Sequence, residues 1–133
     1  MIYTTYFANL RNLPKNIVPI SICGKTPDWY KGLQYKKIAP KYDFFMEWKK
    51  NHDNNYYIEH YEQEVLKNLK VEEVIKELLE LCLPSEVVPI YAWPALDIAL
   101  VCYEKPSNFC HRHLVAKWLS ENGYSCKEWV KNG

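Results

Sequence analysis

No stretch of about eighteen consecutive apolar residues occurs in the chain, so nothing in it has the length to span a bilayer as a helix. The opening Met1-Ile2-Tyr3-Thr4-Thr5 lacks the basic-then-apolar layout of a secretory leader, and a cytoplasmic location without a membrane partner is expected. An excess of one charge is also missing: 17 basic against 16 acidic side chains leave +1, which removes the simplest electrostatic argument for a nucleic-acid partner. Arginine is scarce, since only Arg11 and Arg112 stand among those 17. There is no internal repeat and no low-complexity tract. What is present is 48% hydrophobic and 25% charged, the composition of a packed globule, in 133 residues that suit one domain.

Five cysteines (Cys23, Cys82, Cys102, Cys110, Cys126) are an odd number without a framework spacing, the pattern of reduced thiols. Charge is uneven along the chain. From Lys25 to Lys50 seven lysines face three acids (+4), while from Glu59 to Glu86 eight acids face three lysines (−5).

The β-branched and aromatic run over residues 2–8 reads as a strand, and a second over residues 17–23 contains Pro19, which marks it as an edge strand or an irregular one. Pro40 suits the first helical position of a helix reaching Lys50. Ile58, Tyr61, Val65 and Leu69 step by three and four, as do Val71, Val74, Ile75, Leu78, Leu79 and Cys82, which gives two more helices with Tyr56, Tyr57 and Tyr61 as packing residues. Residues 83–96 carry Pro84, Pro89 and Pro94 and read as a covering loop. Asp97 to Tyr103 is a continuous apolar run, the mark of a central strand in a parallel sheet. A helix from Asn108 to Asn122 follows, capped by Ser107 and stopped by Gly123, and residues 124–130 form a last strand. The expected fold is a single α/β domain with a small, mostly parallel sheet of about four strands and about four helices.

Cys102 to Arg112 joins the end of the central strand to the mouth of the last helix, the usual ligand crevice of open α/β sheets. At about 100° per residue, Cys110 and Arg112 fall on opposite flanks of the face buried by Leu114, Val115, Trp118 and Leu119, with His111 near its middle. Cys110 reads either as a thiolate favoured by the helix start or as a small buried hydrophobe. Arg112, with Arg11 on the same rim if the strands are parallel, suits a phosphate or carboxylate, or else a salt bridge to Glu104. Glu104 shares a strand face with Cys102 and reads as a general base or as that salt-bridge partner.

Three lookalikes fail. Cys23-Gly24-Lys25-Thr26 ends like a phosphate loop, but the earlier glycine position is Pro19. Cys102, Cys110, His111 and His113 resemble a metal set, yet the two histidines project about 200° apart on a helix. Neither spacing of cysteine to Arg112 matches a phosphatase loop. No cofactor and no metal is therefore expected. The run from Asp28 to Lys37 mixes aromatics with lysines, which either stack bases or simply pack on the sheet.

The opening Tyr3-Thr4 strand with Asn9, the Pro19-Ile20-Ser21-Ile22-Cys23-Gly24 strand end, the Ile38-Ala39-Pro40 step and above all Cys102-Tyr103-Glu104 followed by Cys110-His111-Arg112 resemble the domain of unknown function 488 family of small bacterial, archaeal and phage proteins. The resemblance implies an α/β domain and a shared site of these cysteines, His111 and Arg112, which has led to the suggestion that the family are enzymes. It implies no established substrate. Residues 83–96 depart from the family in being longer and more apolar. The expected function is a small enzyme or ligand-binding protein for a phosphate-bearing, nucleotide-like molecule. Cys110, Glu104 and Cys102 are its candidate catalytic residues, and Arg112, His111, Arg11 and Asn9 its candidate binding residues. The alternatives are a nucleic-acid accessory protein using the lysine belt and an interaction module docking through residues 87–96.

Overall fold

The computed structural model describes residues 1–82, 97–105 and 107–131. The loop expected over residues 83–96, and with it the docking segment 87–96, lies outside them.

Among the described residues the sheet has five strands, all parallel, in the order β3-β2-β4-β1-β5: β1 Ile2–Tyr6, β2 Ile17–Ser21, β3 Leu33–Gln34, β4 Asp97–Cys102 and β5 Cys126–Glu128. The apolar run of β4 does take the centre. It pairs Ile98 with Ile2 on one side and with Val18 on the other, and its residues 98–102 are all buried. Because neighbours pair on both edges and both faces are packed, residues 98–102 of this strand are apolar throughout.

One expectation about the strands needs correction. Pro19 lies in β2, which is an interior strand and not an edge. Its missing N–H is tolerated because the ladder from β2 to β3 covers only Ile20 and Ser21, so Pro19 has no β3 residue opposite it. The carbonyl of Pro19 lies 3.4 Å from the Tyr30 hydroxyl, which donates its closer bond, 2.6 Å, to Leu33. The fifth strand is β3 itself, whose two residues leave no alternation to read.

The helices are α1 Tyr42–Asn51, α2 Asn54–Glu64, α3 Val71–Cys82 and α4 His111–Glu121. Asp53 caps α2 by accepting from the Tyr56 N–H at 3.2 Å. Between β1 and β2 a 3-10 turn runs Phe7–Asn12 where a plain loop was expected. Helix α4 starts three residues later than the sequence suggests. Its N-cap is Cys110, with no side-chain cap bond, since Asn108 is held in a preceding turn by Lys105 O and Glu104.

Gly123 ends α4 with φ +91°, its N–H donating to Ser120 O and that of Tyr124 to Leu119 O, the two bonds of a Schellman close. Nothing lies within 4 Å of a Cβ built there, so the cost of a side chain is conformational alone. Gly123→Ala is expected to lower stability by about 1 kcal/mol, read by denaturant unfolding, with β5 pairing retained. An unchanged midpoint would show that the left-handed close is not needed.

The main core lies between the sheet and the helices, around Tyr61, Phe44, Leu78, Ile98 and Leu119. A second, smaller cluster joins Phe7, Cys23, Tyr30, Val101, Cys102 and Cys110 at the C-terminal rim of the sheet. That rim carries the candidate site.

Candidate functional site

Three chain segments end at the same place. Cys23 leaves β2, Cys102 closes β4, and Cys110 and His111 open α4. They form the floor of a cavity of about 670 Å³. Helix α1 supplies one wall with Phe45 and Trp48, the loop before α4 supplies Phe109, and α2 supplies Tyr57. The rings hold one another: Trp48 to Phe109 is 5.6 Å between centroids, Tyr57 to Phe109 is 4.9 Å, and Trp48 to Tyr57 is 5.7 Å. Lys25, Lys49 and Glu104 line the cavity as its charged groups, with the Lys49 ammonium 5.2 Å from the Phe45 ring centroid.

Cys102 and Cys110 are joined as a disulfide, their Cα atoms 7.2 Å apart, which corrects the expectation of five reduced thiols. Spacing in sequence hid the pairing because the two stand eight positions apart, and only the loop's return to the end of β4 brings them together. Cys23, Cys82 and Cys126 are free. Burial pushes the Cys23 thiol up to about 12, against weaker opposing effects from a backbone bond at Tyr103, the Arg112 charge and the Ser21 hydroxyl.

His111 is buried under the sulfurs. Its Nε2 lies 2.8 Å from the carbonyl of Ile22, and a carbonyl can only accept, so Nε2 carries the proton. In the neutral ring Nδ1 is then bare, and it faces Cys102 Sγ at 3.5 Å and Cys110 Sγ at 4.0 Å. Neutrality is enforced by burial first, with the Arg112 charge adding to it, and together they hold the ring down to about 4 despite the Ile22 bond. Tyr61, whose hydroxyl donates to Ile38 O, packs its ring 5.7 Å from the imidazole and limits its rotation.

A folded value near 4 against the 6.5 of an ordinary imidazole means that the unfolded chain binds the proton first as pH falls. The stabilising contribution is complete above about 6.5 and is lost as pH drops toward 4, by about 3 kcal/mol at most. His113, also held low by burial, adds in the same direction. Unfolding free energies measured across that window are expected to fall for the native chain and to fall less for His111→Gln; equal slopes would show that the imidazole is not buried neutral.

Arg112 does not line the cavity. It is fully buried, with Nε and one terminal nitrogen each donating to Glu128 at 3.1 Å, and the other donating to Glu104 O at 2.5 Å. Thr4 Oγ1 donates to the same carboxylate at 2.7 Å. The arginine is thus tied to β5 and to the backbone of Glu104, not to that residue's carboxylate. Arg11 is exposed, its Nε near Ala8 O at 3.4 Å, and Asn9 donates to Thr5 Oγ1 at 3.1 Å; neither reaches the cavity. The structure therefore brings together Cys102, Cys110, His111 and Glu104 and places Arg112, Arg11 and Asn9 elsewhere. His113 stands off the floor, its Nε2 buried without a partner. Along the lysine belt Tyr30 and Tyr35 are buried while Trp29 is 60% exposed.

Sequence reasoning missed Cys23 and the aromatic wall. Cys23 could have been found from its place at the end of β2 once β2 was set beside β4. Trp48 carries no such signal, because an aromatic residue within a helix reads as core.

A family model described as DUF488-N3a, Active DUF488-N3 subclade, matches residues 6–123. The chain belongs to the DUF488 family. The match spans every element from the end of β1 to the close of α4 and so takes in the whole DUF488 cavity floor. No curated protein and no solved structure matches the chain. Among the described residues no helix is long and apolar enough to cross a membrane.

Proposed function

We propose that the protein is a thiol-dependent enzyme acting on a small, planar, nucleotide-like molecule that bears phosphate. The observation that carries this reading is the pairing of an aromatic-walled cavity with a floor on which a bare imidazole nitrogen faces two cysteine sulfurs. The cavity volume, about 670 Å³, falls in the range of about 300–1,000 Å³ usual for small-molecule sites. The packed rings of Trp48 and Phe109 offer one flat wall for a base, and Lys25 and Lys49 supply the charge for a phosphate now that both arginines are otherwise placed.

In this account the pair is reduced before it acts, by a dithiol that takes up the disulfide. His111 Nδ1 then accepts the proton of Cys110, which stands at the positive end of α4, and the thiolate adds to an electrophilic ring carbon of the ligand, whose π pair moves onto the adjacent ring nitrogen. Cys102, closer to the same nitrogen, competes for it, and a disulfide oxidant that takes two electrons and two protons from the pair returns it to the disulfide with Cys110. Glu104, exposed at the rim, is the group placed to exchange a proton with the ligand.

The test is calorimetric titration of the dithiol-reduced protein with purine and pyrimidine nucleoside 5′-monophosphates. At least one is expected to bind, with Trp48→Ala weakening it about tenfold, the size of one lost ring stack. Absence of binding by every one of them, or equal affinity in Trp48→Ala, would sink the nucleotide reading.

A further inference from the structure

The cavity floor holds one group more than the thiol reading uses. Cys23 Sγ, Cys102 Sγ and a ring nitrogen of His111 all lie within 4.8 Å of one another, and all three residues are buried. Among the described residues this is the one cluster of His, Cys, Asp and Glu donors so closely gathered. The donor set is chemically selective. Thiolate sulfur with imidazole nitrogen suits zinc and other soft or borderline ions, while magnesium and calcium take oxygen.

The geometry is that of ligands around a shared ion. Zinc holds sulfur at about 2.3 Å and nitrogen at about 2.0 Å, so two such tetrahedral ligands stand about 3.5 Å apart. Cys102 Sγ and His111 Nδ1 are separated by 3.5 Å. Nε2 of His111 is already occupied by Ile22 O, and histidines that bind metal through one nitrogen almost always have the other fixed in this way. Cys110 Sγ, 4.0 Å from the same Nδ1, lies outside that gathered set while it is bonded to Cys102, and opening the disulfide frees it to complete the set. His113, the histidine that made the sequence pattern look wrong for zinc, has no part in it.

We propose that, once Cys102–Cys110 is reduced, Cys23, Cys102, Cys110 and His111 together bind one zinc-class divalent cation. Disulfide and metal are alternatives, because both need the Cys102 and Cys110 sulfurs. A dithiol reductant delivers two electrons and two protons to the pair and leaves as its own disulfide; the cation then displaces the thiol protons of Cys23, Cys102 and Cys110. Two-electron oxidation of Cys102 and Cys110 by a disulfide oxidant reverses the sequence and releases the ion. The inference goes beyond the thiol-enzyme reading through Cys23. It also adds regulation to it, since the loaded form keeps Cys110 reduced but withholds it from a ligand.

The experiment is a cobalt(II) titration of protein reduced with a dithiol, freed of reductant and kept from air, followed by zinc. One equivalent of cobalt is expected to give thiolate-to-metal charge transfer and the visible bands of a tetrahedral ion, both bleached by zinc. Disulfide-form protein is expected to give neither. Cys23→Ser is expected to bind roughly tenfold more weakly or worse, and Cys82→Ser, altered at the end of α3, as the native chain does. Zinc should also slow alkylation of Cys110. No cobalt uptake by the reduced native chain, equal uptake by its disulfide form, or an unweakened Cys23→Ser would overturn the proposal. A chain that binds no metal yet labels rapidly at Cys110 loses this inference and keeps the thiol reading. One that binds metal but stays unreactive when stripped of it loses the thiol reading alone.

Discussion

Arg112→Ala is expected to be the most damaging single substitution on this rim of the sheet, lowering stability by about 3 kcal/mol or more and the melting temperature by about 10 °C. The reason is what the change leaves behind. Glu128, whose side chain is 18% exposed, keeps its charge and its Thr4 bond but loses both guanidinium donors, and Glu104 O loses its own. Removing one partner of a buried pair costs far more than the pair contributes intact. Arg112→Lys should recover little, because an ammonium cannot replace two parallel bonds to a carboxylate and a third to a carbonyl. Glu128→Gln should be milder, since an amide oxygen still accepts from the arginine. Thermal and denaturant unfolding of the three variants decides this. Native stability in Arg112→Ala together with lost ligand affinity would mean that the arginine grips an anion after all.

Reduction of Cys102–Cys110 is the second large effect. Opening the cross-link restores chain entropy to the unfolded state and is expected to lower stability by about 2–3 kcal/mol for a loop of this size. The same reduction creates two thiols beside a bare imidazole nitrogen. Cys102→Ser and Cys110→Ser should each have the stability of the reduced chain and should not respond further to dithiol. Denaturant curves with and without reductant check both statements. A native chain whose unfolding is indifferent to reductant would remove the disulfide from the account.

Much of this architecture was legible in the residues because the signals were local. A continuous apolar run from Ile98 to Cys102 can only be a strand covered on both faces, and Gly123 is where a left-handed residue is needed. The stepping of Val71, Val74, Ile75, Leu78 and Leu79 gives α3 directly. The family resemblance to DUF488 rests on the same stretches, and the match over residues 6–123 shows it.

What stayed hidden was set by strand order. Glu128 pairs with Arg112 because β5 lies beside β1, and Cys23 meets Cys102 because β2 lies beside β4; neither adjacency has a signature in one sequence. The expectation that two rare arginines converge on a ligand followed from their chemistry, but a guanidinium suits a buried carboxylate as well as a phosphate. The aromatic wall was hidden for another reason. Trp48 on α1 and Phe109 before α4 are 61 positions apart, and either alone reads as packing.

The central claim is that Cys110, once reduced, is a ligand-facing nucleophile and not a core residue. Timed alkylation of the folded, metal-free, dithiol-reduced chain near neutral pH, followed by peptide mapping, tests it most directly. The account predicts that Cys110 labels before Cys126 and Cys23, that His111→Gln slows it, and that a bound nucleoside monophosphate protects it. Labelling of Cys110 no faster than Cys126, untouched by His111→Gln and by ligand, would contradict the account and return both sulfurs of the pair to a structural role.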